Sequence, residues 1–71
     1  MAVENLVKLA KLRMRRERPD ELGMMLNIID KSLHNGGYHN FVAAKEAMHM
    51  YVRGEIGSGD LLGRVRDLSE N

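Results

Sequence analysis

Between Lys8 and Arg18, six of eleven residues are basic: Lys8, Lys11, Arg13, Arg15, Arg16 and Arg18, opposed within the run by Glu17 alone. Cations at this density bind anions, either the phosphates of a nucleic acid or the carboxylates of a protein. Arginine outnumbers lysine four to two in the run, and its planar fork pairs bidentately with both kinds of anion, so that preference does not choose between them. No aromatic residue lies among these cations to stack on a base. Residues 1–18 carry six positive charges against Glu4 and Glu17, a formal +4, whereas residues 19–71 carry five against eight acids, a formal −3. The near-neutral total therefore hides a dipolar chain with a cationic first segment and a mildly acidic body. That pattern favours docking onto an acidic protein surface over nucleic acid, with a merely solvated helix face as the plain alternative.

The remaining chemistry-bearing residues form weaker patterns. His34 and His39 straddle Gly36-Gly37, and His49 stands apart from both. Zinc sites usually pair histidines across one helical turn or add cysteine ligands, and this chain has no cysteine. No metal and no cofactor are expected, and the histidines read as polar surface residues. Gly57-Ser58-Gly59-Asp60 lacks the lysine of a phosphate-binding loop and reads as a connector with a helix cap. Asp20 and Glu21 stand where a helix dipole welcomes acids. No nucleophile, base and orienting group fall into an ordered set. Nor does so short a chain readily enclose a pocket of about 300 Å³ and a core as well. The protein is not expected to be an enzyme.

Methionines point elsewhere. Met24, Met25, Met48 and Met50 fall on the two central helical segments, one member of each pair off the main apolar stripe. Methionine is flexible and polarisable, so it suits surfaces that adapt to a partner as well as small irregular cores. Met24, Ile28 and Met50 are thus candidates for an exposed apolar patch, with Tyr38 and Tyr51 as its anchors.

The elements that must position these residues are helices. Val3, Leu6, Val7, Ala10 and Met14 recur at i, i+3, i+4, i+7 and i+11, and Leu22, Met25, Leu26, Ile29 and Leu33 repeat those offsets. Pro19 suits a first helical turn, and Asn35-Gly36-Gly37 a stop. Asn40 is the expected N-cap of a third helix bearing Phe41, Ala44, Met48, Tyr51 and Val52, which Gly54 ends. Ser58 is the expected cap of a short fourth helix with Leu61, Leu62, Val65 and Leu68, fraying at Ser69-Glu70-Asn71. Gly63 weakens that helix, so weak docking or dependence on a partner is expected for it. The spacing predicts an all-α single domain over residues 1–71, a small bundle of three to four short helices near 3–16, 19–34, 41–53 and 59–68, with no sheet.

On the helical wheel Lys8, Lys11 and Arg15 share the face opposite the apolar stripe, Arg13 and Arg16 flank it, and Arg18 lies in the connector. A helix-turn-helix over the last two segments is disfavoured, because its connector is too long and its second helix opens on Asp60. The expected function is a non-catalytic regulatory protein that binds and modulates a larger protein, of the kind phages direct against host transcription machinery such as RNA polymerase or another host complex. The partner-binding residues are Lys8, Lys11, Arg13, Arg15, Arg16, Arg18, Met24, Ile28 and Met50. One alternative is a nucleic-acid binder using Lys8 to Arg18. Another is a self-associating structural protein whose homodimer completes its core. The N-terminus lacks a basic segment leading into an apolar stretch, and no apolar run approaches the roughly 20 residues that span a bilayer. No membrane association is expected, and a cytoplasmic location is.

Overall fold

Glycine and proline decide where this chain turns, and the apolar stripes decide how the pieces pack. A computed structural model describes residues 2–70 and contains helices α1 (Val3–Glu17), α2 (Leu22–His34), α3 (Gly37–Val52) and α4 (Ser58–Glu70). No strand occurs among the described residues. The architecture is the expected all-α bundle, with four helices. Of the expected fraying, Asn71 lies outside the described residues, and α4 continues to Glu70.

After α1, Arg18 leaves helical geometry at φ −141° while its N–H still donates to the Met14 carbonyl at 2.7 Å. Pro19–Glu21 then make one tight 3-10 turn before α2. Pro19 has no N–H to lose there, so the turn costs no hydrogen bond. At the second reversal Gly37 takes φ +76°, a region closed to most L side chains. This lets α3 start at Gly37 directly after Gly36, earlier than the start near Phe41 that the spacing suggested. Asn40 is consequently inside the first turn of α3 and is not its cap. Its side-chain amide donates instead to the Leu68 carbonyl at 2.8 Å, fastening the start of α3 to the end of α4. Gly54 takes φ +82° and closes α3, its N–H donating to the Tyr51 carbonyl and the next N–H to that of Met50.

Leu6, Ala10 and Met14 of α1, Met25, Ile29 and Leu33 of α2, and Ala44, Ala47, Met48 and Tyr51 of α3 form the core with Ile56, Leu61 and Val65. α3 is central and packs against the other three helices, while α4 also packs along α2. The expectation of a weakly docked α4 is therefore corrected. Leu61 and Val65 are completely buried, and Ile56 of the connector joins them. Burial of each such side chain contributes about 1.5–3 kcal/mol, which outweighs the cost of about 1 kcal/mol for Gly63. Ser32, the buried polar residue of α2, donates its hydroxyl to the Ile29 carbonyl at 2.7 Å and so satisfies itself locally. α1 is held differently. It sits on α3 and touches α2 only sparsely.

Candidate functional site

The cationic run divides into two populations. Arg13 and Arg18 turn inward. The Arg13 guanidinium donates to the Tyr51 carbonyl and reaches the Ile56 carbonyl at 3.5 Å, and its Nε donates to Glu17 one turn along α1. It also lies over the Tyr51 ring, 4.2 Å from the centroid, close enough for cation–π attraction. Arg18 donates from Nε to the Ser58 hydroxyl at 2.9 Å and from Nη1 to Glu21 at 3.4 Å. The two arginines thus bind α1 and its following turn to the end of α3, the connector and the start of α4. Ser58, expected to cap α4, is instead its first residue, with its hydroxyl accepting from Arg18.

The second population points outward. Among the described residues no hydrogen bond or ion pair engages Lys8, Lys11, Arg15 or Arg16. Lys8, Arg15 and Arg16 are exposed and Lys11 half-buried. Arg15 and Arg16 also occupy the last turn of α1, where the carbonyl end of the helix dipole favours cations.

Because α1 keeps its distance from α2, a groove of about 490 Å³ opens between them. Its α1 wall is Val3, Glu4, Val7, Lys8 and Lys11, and its α2 wall is Leu26, Ile29, Asp30, Leu33 and His34. Val3, Val7 and Leu26 are half-buried and form apolar floor that the bundle itself does not cover. The rim is polar and asymmetric. Asp30 faces His34, carboxylate to Nδ1 at 3.1 Å, and that ring nitrogen also lies 2.9 Å from the Asp30 carbonyl. Across from them Lys8 and Lys11 have no such partner among the described residues, although Glu4 precedes Lys8 by one turn.

Of the apolar patch expected from methionine, one anchor is corrected. Tyr51 is completely buried beneath Arg13 and cannot anchor an exposed surface. It belongs to the core, as its place in the apolar spacing of α3 required, and its hydroxyl donates toward Glu17 at 3.4 Å. Burial, with Glu17 beside it, raises the Tyr51 pKa above the ordinary tyrosine value. Met24 is exposed and Ile28 half-buried on α2. Met50 belongs to another depression, between α3 and α4, lined also by Ala43, Glu46, Ala47, Arg64, Asp67 and Leu68. A third surface runs along α3, where Tyr38, Phe41 and Val42 are followed by Lys45, His49 and Arg53. Tyr38 is 78% exposed, and Arg53 is bridged to Glu55 at 2.7 Å.

Val3, Val7 and Leu26 read as core because their spacing matches Leu6 and Ile29. Only the separation of α1 from α2 turns them into the floor of a groove, and no one-dimensional pattern carries that. His34 and Asp30, four residues apart on α2, were legible as a helical pair, but their place on a groove rim was not. No helix among the described residues is long and apolar enough to cross a membrane. No known protein family, curated protein or solved structure matches the chain.

Proposed function

We propose that the protein is a non-catalytic interaction module that docks onto a larger protein through the α1–α2 groove and the outward cations of α1. The supporting observation is the coincidence of two features at one place. Apolar floor at Val3, Val7 and Leu26 stays part-exposed, and Lys8 and Lys11 stand on its rim with no partner among the described residues. Apolar surface supplies residence time, and unpaired charge at the edge steers encounter and fixes orientation. Arg15 extends the Lys8–Lys11 flank by a turn, and Arg16 widens the cationic field beyond it. Our reading gives Arg13 and Arg18 a holding role and not a docking one, because their guanidinium groups are engaged within the fold.

The test is a pull-down from nuclease-treated bacterial lysate with wild type and with K8E/K11E/R15E/R16E, both checked for unchanged helicity. The expected result is a stoichiometric large protein retained by the wild type and lost by the variant, with RNA polymerase subunits the first to look for. Retention indifferent to the four charge reversals would refute the assignment of these residues. The same variant serves against the nucleic-acid alternative. Neutralisation of four phosphates would give a slope of log K against log salt of about −3.6 on duplex DNA. Saturable DNA binding with such a slope, abolished in the variant, would transfer the cationic face to nucleic acid.

A further inference from the structure

The α1 wall of the α1–α2 groove carries different charge at its two ends. Along that wall Glu4 comes first and Lys8 and Lys11 follow, so it turns from negative to positive in the direction of α1, while on the α2 wall Asp30 faces His34. Arg15 continues the positive end by one more turn. The floor between Val3 and Lys11 spans eight residues of α1, about 12 Å. Apolar side chains at i, i+3 or i+4, and i+7 of another helix span about 10.5 Å and match that length.

We infer that the occupant is an amphipathic helix of the partner protein, laid parallel to α1, with its acidic residues in its C-terminal half. This rests on the docking reading above and adds the partner's chemistry and direction. In that orientation the occupant's carboxylates and the negative end of its dipole face Lys8, Lys11 and Arg15, while its N-terminus faces Glu4. Reversing the helix sets like charge against like at both ends, which costs affinity even at a rim. A second copy of the chain fits less well. Isologous pairing of the two hairpins would put one formally +4 segment (residues 1–18) against another.

The probe is a synthetic helical peptide with Leu at i, i+3 and i+7, Lys flanking its N-terminal half and Glu flanking its C-terminal half. Its control carries the same residues with Lys and Glu exchanged. Binding is read by fluorescence anisotropy, and the site by amide chemical shifts of the full chain. The first peptide is expected to bind about tenfold tighter than the control and to shift residues around Val7 and Leu26. K8E/K11E, which changes one exposed and one half-buried residue outside the core, is expected to invert the ranking. Equal affinity, failure of both peptides, or a ranking unmoved by K8E/K11E overturns the inference. So does a concentration-dependent dimer, seen by analytical ultracentrifugation, that K8E/K11E disrupts. If the peptides fail while the pull-down still loses its protein in the fourfold variant, docking stands and the oriented helix falls. If both fail, both readings fall.

Discussion

Arg13→Met separates an arginine that holds the fold together from its outward neighbours. Methionine keeps most of the aliphatic stem, so the change removes mainly the guanidinium and what it binds. Three contributions follow from the geometry. The charged donor to the Tyr51 carbonyl is worth about 1.5–3 kcal/mol, the contact with the Tyr51 ring about 0.5–1 kcal/mol, and the helical pair with Glu17 about 0.3–0.5 kcal/mol. The Ile56 carbonyl, at 3.5 Å, lies too far to count as a full hydrogen bond. The Arg13 side chain is 31% exposed, so water replaces part of what is lost. The lower part of the range applies, about 2–3 kcal/mol, a large fraction of the roughly 4–10 kcal/mol expected for a chain of this size. Urea unfolding followed by circular dichroism measures it, with Arg15→Met as the control. Among the described residues nothing engages Arg15, so its replacement is expected to stay within about 0.5 kcal/mol of wild type. In thermal melts the Arg13 variant should lose at least about 8 °C. Equal stability of the two variants would refute the division of the cationic run into internal and outward members.

Leu61→Ala is expected to cost about 2–5 kcal/mol, since this fully buried side chain holds α4 to the core; a loss below about 1 kcal/mol in urea unfolding would return α4 to a loosely docked role. Gly63→Ala should stabilise by about 0.5–1 kcal/mol, because the position is helical, exposed and open around the added methyl. Gly54→Ala has equal space but sits at φ +82°, so it should destabilise by about 1–2 kcal/mol, and the opposite signs in one melting experiment check the argument. The Tyr51 pKa is raised by burial first and by Glu17 second. Its folded state therefore holds the proton more tightly than the unfolded chain, whose tyrosine titrates near pH 10. That contribution to stability is complete below about pH 10 and disappears as pH rises through the folded value. Urea midpoints taken across this range should fall in wild type and fall less in Tyr51→Phe. Equal pH dependence in the two would contradict the assignment.

Helix number and the polarity of each helix face were legible in the sequence because they depend on neighbours three and four residues apart. Leu6, Ala10 and Met14 point inward as the stripe requires, and Leu61 and Val65 do the same on α4. The turns were legible too, since proline and positive-φ glycine act on their own backbone. Asn40 was misplaced because its side chain could satisfy a cap locally or the Leu68 carbonyl at long range, and only the approach of α4 decides between them. Tyr51 read both as a core residue of α3 and as an anchor of an exposed patch, and Arg13, arriving over its ring from a helix far away in sequence, leaves it in the core.

Composition and spacing alone determined that this chain is all helical and that its first helix is cationic. Which of those cations remain available was decided by tertiary structure. Arg13 and Arg18 found carbonyl and hydroxyl acceptors on segments some forty residues away, and Lys8, Lys11, Arg15 and Arg16 found none among the described residues. The groove was decided in the same way. Val3, Val7 and Leu26 obey the same periodicity as the core, and they remain part-exposed because α1 settles on α3 and leaves α2 at a distance. Periodicity fixes the direction a side chain takes from its own helix, whereas the position of the next helix fixes whether anything meets it there.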